Sequence, residues 1–134
     1  MMRFMLDTNI CIELIRKRGE RVLRRMKRRS PEEIRVSSIT LSELEYGVAK
    51  SVNPEKNRLA LAEFMTPLAV APYDDAVAPF YGRMRADLER AGTPIGPLDT
   101  MIAAHALSLG LTVVTGNERE FRRVSGLKVQ NWAK

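Results

Sequence analysis

The chain has 134 residues, 45% of them hydrophobic, with one cysteine, one histidine and a formal net charge of +6. That length suits one domain with a core of its own, and the apolar share argues against wholesale disorder. A lone cysteine excludes an intramolecular disulfide and cysteine-based zinc sites, a lone histidine excludes two-histidine ribonuclease chemistry, and a pI near 9.9 favours a polyanionic partner, nucleic acid first.

No apolar run approaches the roughly 18 residues of a membrane span. The N-terminal apolar stretch is interrupted by Asp7 and Glu13 and no small-residue cleavage site follows, so a soluble cytoplasmic protein is expected, with residues 1–134 as one domain.

Short β-like runs alternate with longer helical ones. Arg3 to Leu6 (RFML) reads as a strand and Ile10 to Lys17 as a helix. Glu20 to Arg29 reads as a second helix with Val22, Leu23 and Met26 inward, which turns Arg21, Arg24, Arg25 and Arg28 outward as candidates for contact with an RNA backbone or, alternatively, with a partner protein. Ile34 to Ser38 (IRVSS) is the next strand, followed by helical Thr40 to Lys50 and Pro54 to Met65. Leu68 to Pro72 reads as a strand, Asp74 to Ala91 as a long helix and Gly92 to Pro97 as a loop. Pro97 to Leu109 is helical, Leu111 to Thr115 (LTVVT) is a β-branched strand, and Leu127 to Val129 a last edge strand. Alternation of this kind predicts a three-layer α/β/α sandwich around a mainly parallel sheet of four to five strands. In such sheets ligands bind beyond the carboxyl ends of the strands.

Polar residues follow the strands. Asp7 comes directly after the first, where an aspartate also caps a helix. Glu43 lies in T-L-S-E (Thr40 to Glu43), which has the form of a capping box. Asp99 stands in G-P-L-D, where Pro97 opens a helix and an acid complements the helix dipole. Asn117 and Glu120 follow the fourth strand, where Gly-Asn signals a turn. Each local reading suffices alone. Together they place several carboxylates at one sheet edge, where mutual repulsion raises pKa values unless a cation relieves it. Hard oxygen ligands favour Mg²⁺ or Mn²⁺, which can activate water and clamp a phosphate. His105 shares helical spacing with Leu98, Ile102 and Leu109 and reads as a packed histidine. Trp132 reads as a pin for the C-terminal tail, and Cys11 as a small buried hydrophobe.

Four stretches in order, L-D-T-N-I, T-L-S-E-L-E-Y-G, I-G-P-L-D-T-M-I-A-A-H-A and V-V-T-G-N-E-R-E-F, resemble the PIN-domain ribonucleases and, more narrowly, the VapC toxins of bacterial toxin–antitoxin pairs. The resemblance spans essentially the whole chain. It implies that Asp7, Glu43 and Asp99 form the acidic triad holding Mg²⁺ or Mn²⁺, with Thr8 steadying the first aspartate and Thr115 in support. Asn117 matches a fourth polar position that is often Asp in PIN domains. The departure removes a charge, so Asn117 is expected to orient water or phosphate, with Glu120 as the candidate for the missing carboxylate. The implied activity is endoribonuclease cleavage by metal-activated water, leaving a 5′-phosphate and a 3′-hydroxyl. The implied substrate is tRNA, with initiator tRNA cut in its anticodon loop by close relatives. The implied partners are a VapB-type antitoxin and a second copy in a homodimer.

Two other readings compete. One is a non-catalytic RNA-binding or antitoxin-docking module on the same fold, kept open by Asn117. The other is a phosphoryl-transfer domain. Asn9 stands where an aspartyl-phosphate phosphatase needs a second aspartate, and no lysine follows the fourth strand as a receiver domain requires.

Overall fold

The computed structural model describes residues Met1–Lys134. In chain order the elements are β1 (Phe4–Leu6), α1 (Thr8–Ile15), α2 (Glu20–Lys27), a 3-10 turn (Pro31–Glu33), β2 (Ile34–Ser37), α3 (Ser38–Lys50), α4 (Pro54–Met65), β3 (Ala69–Ala71), α5 (Ala78–Arg90), α6 (Pro97–Leu109), β4 (Thr112–Val114), α7 (Glu118–Phe121) and β5 (Lys128–Gln130). The five strands form one sheet in the order β3-β2-β1-β4-β5, and every pairing is parallel. A sheet of this kind must be covered on both faces, and two apolar clusters do so. Met5 and Val113 point into one with Met84, Ile102 and Phe121 from α5, α6 and α7. Phe4, Leu6 and Val36 point into the other with Ile10, Leu44, Leu61 and Trp132. The alternation of Phe4, Met5 and Leu6 between faces is the period-two signature of a strand.

The expected architecture holds, with local differences. The long helix begins at Ala78 instead of Asp74, because Asp74 folds the chain into a turn (Ala76 N–H to Asp74 Oδ1, 3.0 Å) and Pro79 sets the first helical turn. The short helix α7 lies where a turn was expected. Helix α6 stops at Gly110, whose φ of 68° turns the chain into β4. On α2, Val22 is buried but Leu23 is 41% exposed, so the inward face is narrower than its apolar pattern predicts.

His105 is buried, with Nδ1 2.8 Å from Ser37 Oγ and its ring edge-on to Tyr73. Burial lowers its pKa, which the Asp74 carboxylate and a backbone hydrogen bond at Pro72 partly offset. Trp132 is fully buried against Phe4 with ring centroids 5.1 Å apart, and its indole N–H donates to Gln130. It pins the tail, as expected. Cys11 is buried.

Candidate active site at the carboxyl edge of the sheet

The strand order reverses at β1. The chain builds outward through β2 and β3, then returns to lay β4 on the other side of β1. Such a reversal opens a crevice beyond the strand ends. Leu6 pairs with Val114, so the next residues, Asp7 and Thr115, meet at the crevice floor.

Asp7 is 3% exposed. Its Oδ1 accepts from the Ile10 amide at 2.8 Å, which caps α1, and its Oδ2 accepts a short hydrogen bond from the Thr115 hydroxyl. Cap and site therefore coincide in one residue. Burial raises the Asp7 pKa, opposed by the bonds from Thr115 and Ile10. The Thr115 hydroxyl in turn accepts from the Asn117 amide at 2.8 Å. Steadying Asp7 thus falls to Thr115. Thr8, which the resemblance assigned to that task, donates its hydroxyl to Thr40 Oγ1 at 3.1 Å and ties α1 to α3.

Glu120 enters the site on α7. Its Oε1 accepts from the Gly96 amide at 2.6 Å and its Oε2 from the Asn117 side-chain amide at 2.9 Å. The Gly96 amide does most to hold the Glu120 carboxyl below its ordinary range. Asp99, in the first turn of α6, shares a hydrogen bond with Glu120. Burial first, then the Glu120 charge and that bond, then the Asp7 charge, push the Asp99 pKa up to about 6. Of the pair, Asp99 is the one that takes up a proton first as pH falls, while Glu120 stays ionised. Asn117, read from sequence as a possible handle for water or phosphate, positions Glu120.

Glu43 is not part of a capping box. Helix α3 starts at Ser38, with Ser37 Oγ accepting from the Ile39 amide at 3.1 Å. Thr40 therefore lies inside the helix, and Glu43 sits in the second turn with no cap amide within reach. The T-L-S-E pattern misled because a serine three residues before the expected start took the cap. A true capping box forms at Ser30 and Glu33 instead. The Glu43 side chain lines one groove of about 500 Å³ with Asp7 and Asp99, beside Ile12, Tyr46 and Leu98. The groove collects the triad without closing it: no three His, Cys, Asp or Glu side chains stand close enough to enclose a metal ion by themselves.

On α2, Arg21 and Arg24 are exposed and line a second groove, which reaches Asn9 and Asn117. Arg28 is exposed outside it. Arg25 does not face outward. Its Nη1 donates to the Asn131 carbonyl at 3.3 Å and its guanidinium lies 5.9 Å from the Trp132 ring centroid, so it belongs to the packing of the tail.

The PIN domain family model matches residues 4–127. The "tRNA(fMet)-specific endonuclease VapC" of Salmonella typhimurium is 46% identical over 132 residues, 98% of this chain and 99% of that one. The chain is a PIN domain of the VapC family. The VapC of the same name from Shigella flexneri is also 46% identical, over 99% of this chain and 100% of its own. Among solved structures, DNA-bound VapBC from Salmonella typhimurium superimposes with a TM-score of 0.93 at 46% identity, covering 98% of this chain and 99% of that one. VapBC2 of Rickettsia felis, bound to a promoter DNA fragment, gives 0.92 at 37% identity, covering 98% and 99%.

Sequence reasoning missed two supports of the VapC site. The Gly96 amide gives no side-chain signal. Thr40 lay inside a motif that assigned it to a helix cap.

Proposed function

We propose that this chain is the toxin of a type II toxin–antitoxin pair and a metal-dependent endoribonuclease acting on tRNA. The observation that carries the reading is the gathering of Asp7, Glu43 and Asp99 in one groove at the strand switch point, in a chain with close full-length similarity to VapC endonucleases. Oxygen-donor carboxyls gathered at one place, with the Glu120 and Asp7 charges raising the pKa of Asp99, fit a hard divalent cation. Mg²⁺ keeps several waters and takes only one or two protein carboxylates, so it needs no closed cage. Asp7 and Asp99 are the residues to hold it, with Glu43 and Glu120 alongside.

Such a cation, when bound, polarises a phosphoryl oxygen and lowers the pKa of water. The chain's own groups prepare for it. Thr115 and the Ile10 amide fix the Asp7 carboxylate in one rotamer. Asn117 and the Gly96 amide fix Glu120 against Asp99. Positive charge in the groove would favour the ionised form of Asp99, the form that can hold a cation. His105 is buried against Ser37 and takes no part, so hydrolysis by water leaving a 5′-phosphate and a 3′-hydroxyl suits this site better than attack by a 2′-hydroxyl.

Initiator tRNA is the preferred substrate by similarity to the tRNA(fMet)-specific relatives, and a VapB-type antitoxin the partner by similarity to the VapBC complexes. A homodimer, joined into a larger assembly by the antitoxin, is part of the same reading. The open arrangement of the carboxylates favours one alternative, a module that binds RNA or antitoxin without cutting. Incubating the chain with total tRNA in Mg²⁺ or Mn²⁺ and mapping the ends decides between them. Cuts abolished by EDTA and by Asp7→Asn support the nuclease, and RNA binding without cuts supports the module.

A further inference from the structure

The groove on the far side of α1 is unlike the rest of the surface. It has a volume of about 670 Å³, and four cations line it: Lys17, Arg18, Arg21 and Arg24. Glu13 and Glu20 share the lining, yet neither lies within ion-pair distance of any of the four, and none of the four side chains makes a hydrogen bond to the protein. Elsewhere several arginines find partners, as in Arg3–Glu33, Arg58–Glu45 and Arg90–Asp87, and unpaired ones such as Arg83 and Arg119 are not gathered with other unpaired cations in one groove. Four unpaired cations held together in a concavity raise the local potential for an anion.

The corner that presents them is strained. Lys17 has φ 58°, the one non-glycine residue with left-handed backbone in the chain. It closes α1 through bonds from its own amide to Leu14 O and from the Arg18 amide to Glu13 O. Glycine is the usual residue at such a helix end. A lysine kept there against its backbone preference is the kind of local cost that accumulates at functional positions.

The groove also joins the acidic site. Asn9 lines both grooves, and Gly116 and Asn117 close the basic one at the end near Asp7. Helix α1 is the ridge between them. A helix with its side chains is about 10 to 12 Å across, or about three nucleotides at the ~3.4 Å spacing of a stacked strand.

We infer that Lys17, Arg18, Arg21 and Arg24 form a phosphate track that holds the RNA strand adjacent to the scissile bond, crossing the α1 ridge at Asn9. The inference rests on the ribonuclease reading for its substrate. It replaces the outward arginines of α2 as a group with a different set. Arg25 leaves it, pinned to the tail, and Lys17 and Arg18 join it. Contact is to the backbone, so the track adds affinity without sequence preference.

The test measures binding of a fluorescein-labelled twelve-nucleotide single-stranded RNA by anisotropy in the Asp7→Asn background, so that cleavage does not consume the probe. Steady-state cleavage of tRNA is followed with Asp7 intact. The double variant Arg21→Gln/Arg24→Gln is expected to weaken RNA binding about tenfold and to lower the slope of log K against log salt by about 1.4, two phosphate contacts at ~0.7 each. In cleavage it raises KM and leaves kcat. Arg83→Gln/Arg90→Gln, an equal loss of two charges on α5 across the sheet, is expected to do neither. Lys17→Gly relieves the strained backbone, so it is expected to keep or raise Tm while still weakening RNA binding, which a structural lysine would not do. Equal effects of Arg83→Gln/Arg90→Gln and of Arg21→Gln/Arg24→Gln reduce the track to bulk charge and overturn it. A wild-type KM in Arg21→Gln/Arg24→Gln overturns it while leaving the ribonuclease intact. RNA binding with the expected dependence but no cleavage by the wild type fails the ribonuclease reading and leaves the track standing. Preference for a poly-glutamate peptide over RNA, with the same dependence on Arg21 and Arg24, assigns the groove to an acidic protein segment and overturns it.

Discussion

The two grooves flanking α1 differ in how their side chains are held. On one side Asp7, Thr115, Asn117 and Glu120 are linked by hydrogen bonds that run from the Gly96 amide to the α1 cap. On the other, Lys17, Arg18, Arg21 and Arg24 touch no protein partner. Chemistry at a phosphorus atom needs groups fixed to within fractions of an ångström. Backbone binding needs charge, and long cationic side chains supply it while mobile. Glu43 is the exception on the acidic side, since it lines the groove without a hydrogen bond or ion pair.

Breaking the fixed side has the largest consequences. Asp7→Asn or Asp99→Asn should lower kcat for RNA cleavage by more than about a hundredfold, beyond what loss of a supporting contact costs. Far-ultraviolet circular dichroism should stay unchanged, and retained activity in either variant would remove these residues from the site. Thr115→Val frees Asp7 Oδ2 and deletes one link of the chain. A fall in kcat of about tenfold to a hundredfold is expected, with KM unmoved. A change confined to KM would show that the hydroxyl meets substrate instead. Asn117→Ala takes one amide donor from Glu120 and leaves the Gly96 amide and Asp99 to hold it, so a smaller loss of about tenfold is expected, at the low end of such supporting contacts. Asn117→Gln, which keeps the amide, should restore part of the activity if positioning is the role.

The smallest effect is thermodynamic. The folded-state pKa of Asp99 is raised to about 6 from an ordinary 3.8. The folded protein therefore binds a proton that the unfolded chain has released. That contribution to stability is complete below the ordinary value and is lost as pH rises through about 6. Asp7, shifted in the same direction, adds to the trend. In EDTA, Asp99→Asn should therefore exceed the parent in Tm by about 3 °C at pH 7.5, a partly exposed carboxyl's share of one charge repulsion. The gap should close by pH 4. A constant gap across that range would mean that repulsion is not its source.

The α/β/α architecture was legible because hydrophobic period and turn chemistry are local. Pro54 and Pro97 each open a helix at the expected place, and LTVVT encodes its own strand. The positions of the candidate acids were legible because strand ends in a parallel sheet are where ligands collect. Their partners were not. T-L-S-E satisfied the capping pattern, but Ser37 caps α3 and also meets His105 from α6, a contact 68 residues away in the chain. Arg25 and Arg21 look alike on a helical wheel. Only the returning tail, through Trp132 and Asn131, separates them.

Sequence alone determined which residues are acidic, which segments are strands and on which side of the strand ends the carboxylates fall, since these follow from the order of side chains along one chain. Tertiary structure decided that Thr115 and not Thr8 holds Asp7, that Asn117 holds Glu120, and that the cations form a groove with Lys17. The first is a contact between residues 108 apart in the chain, made where β1 and β4 end side by side, while the second and third join near neighbours whose meeting depends on how the chain turns after β4 and after α1.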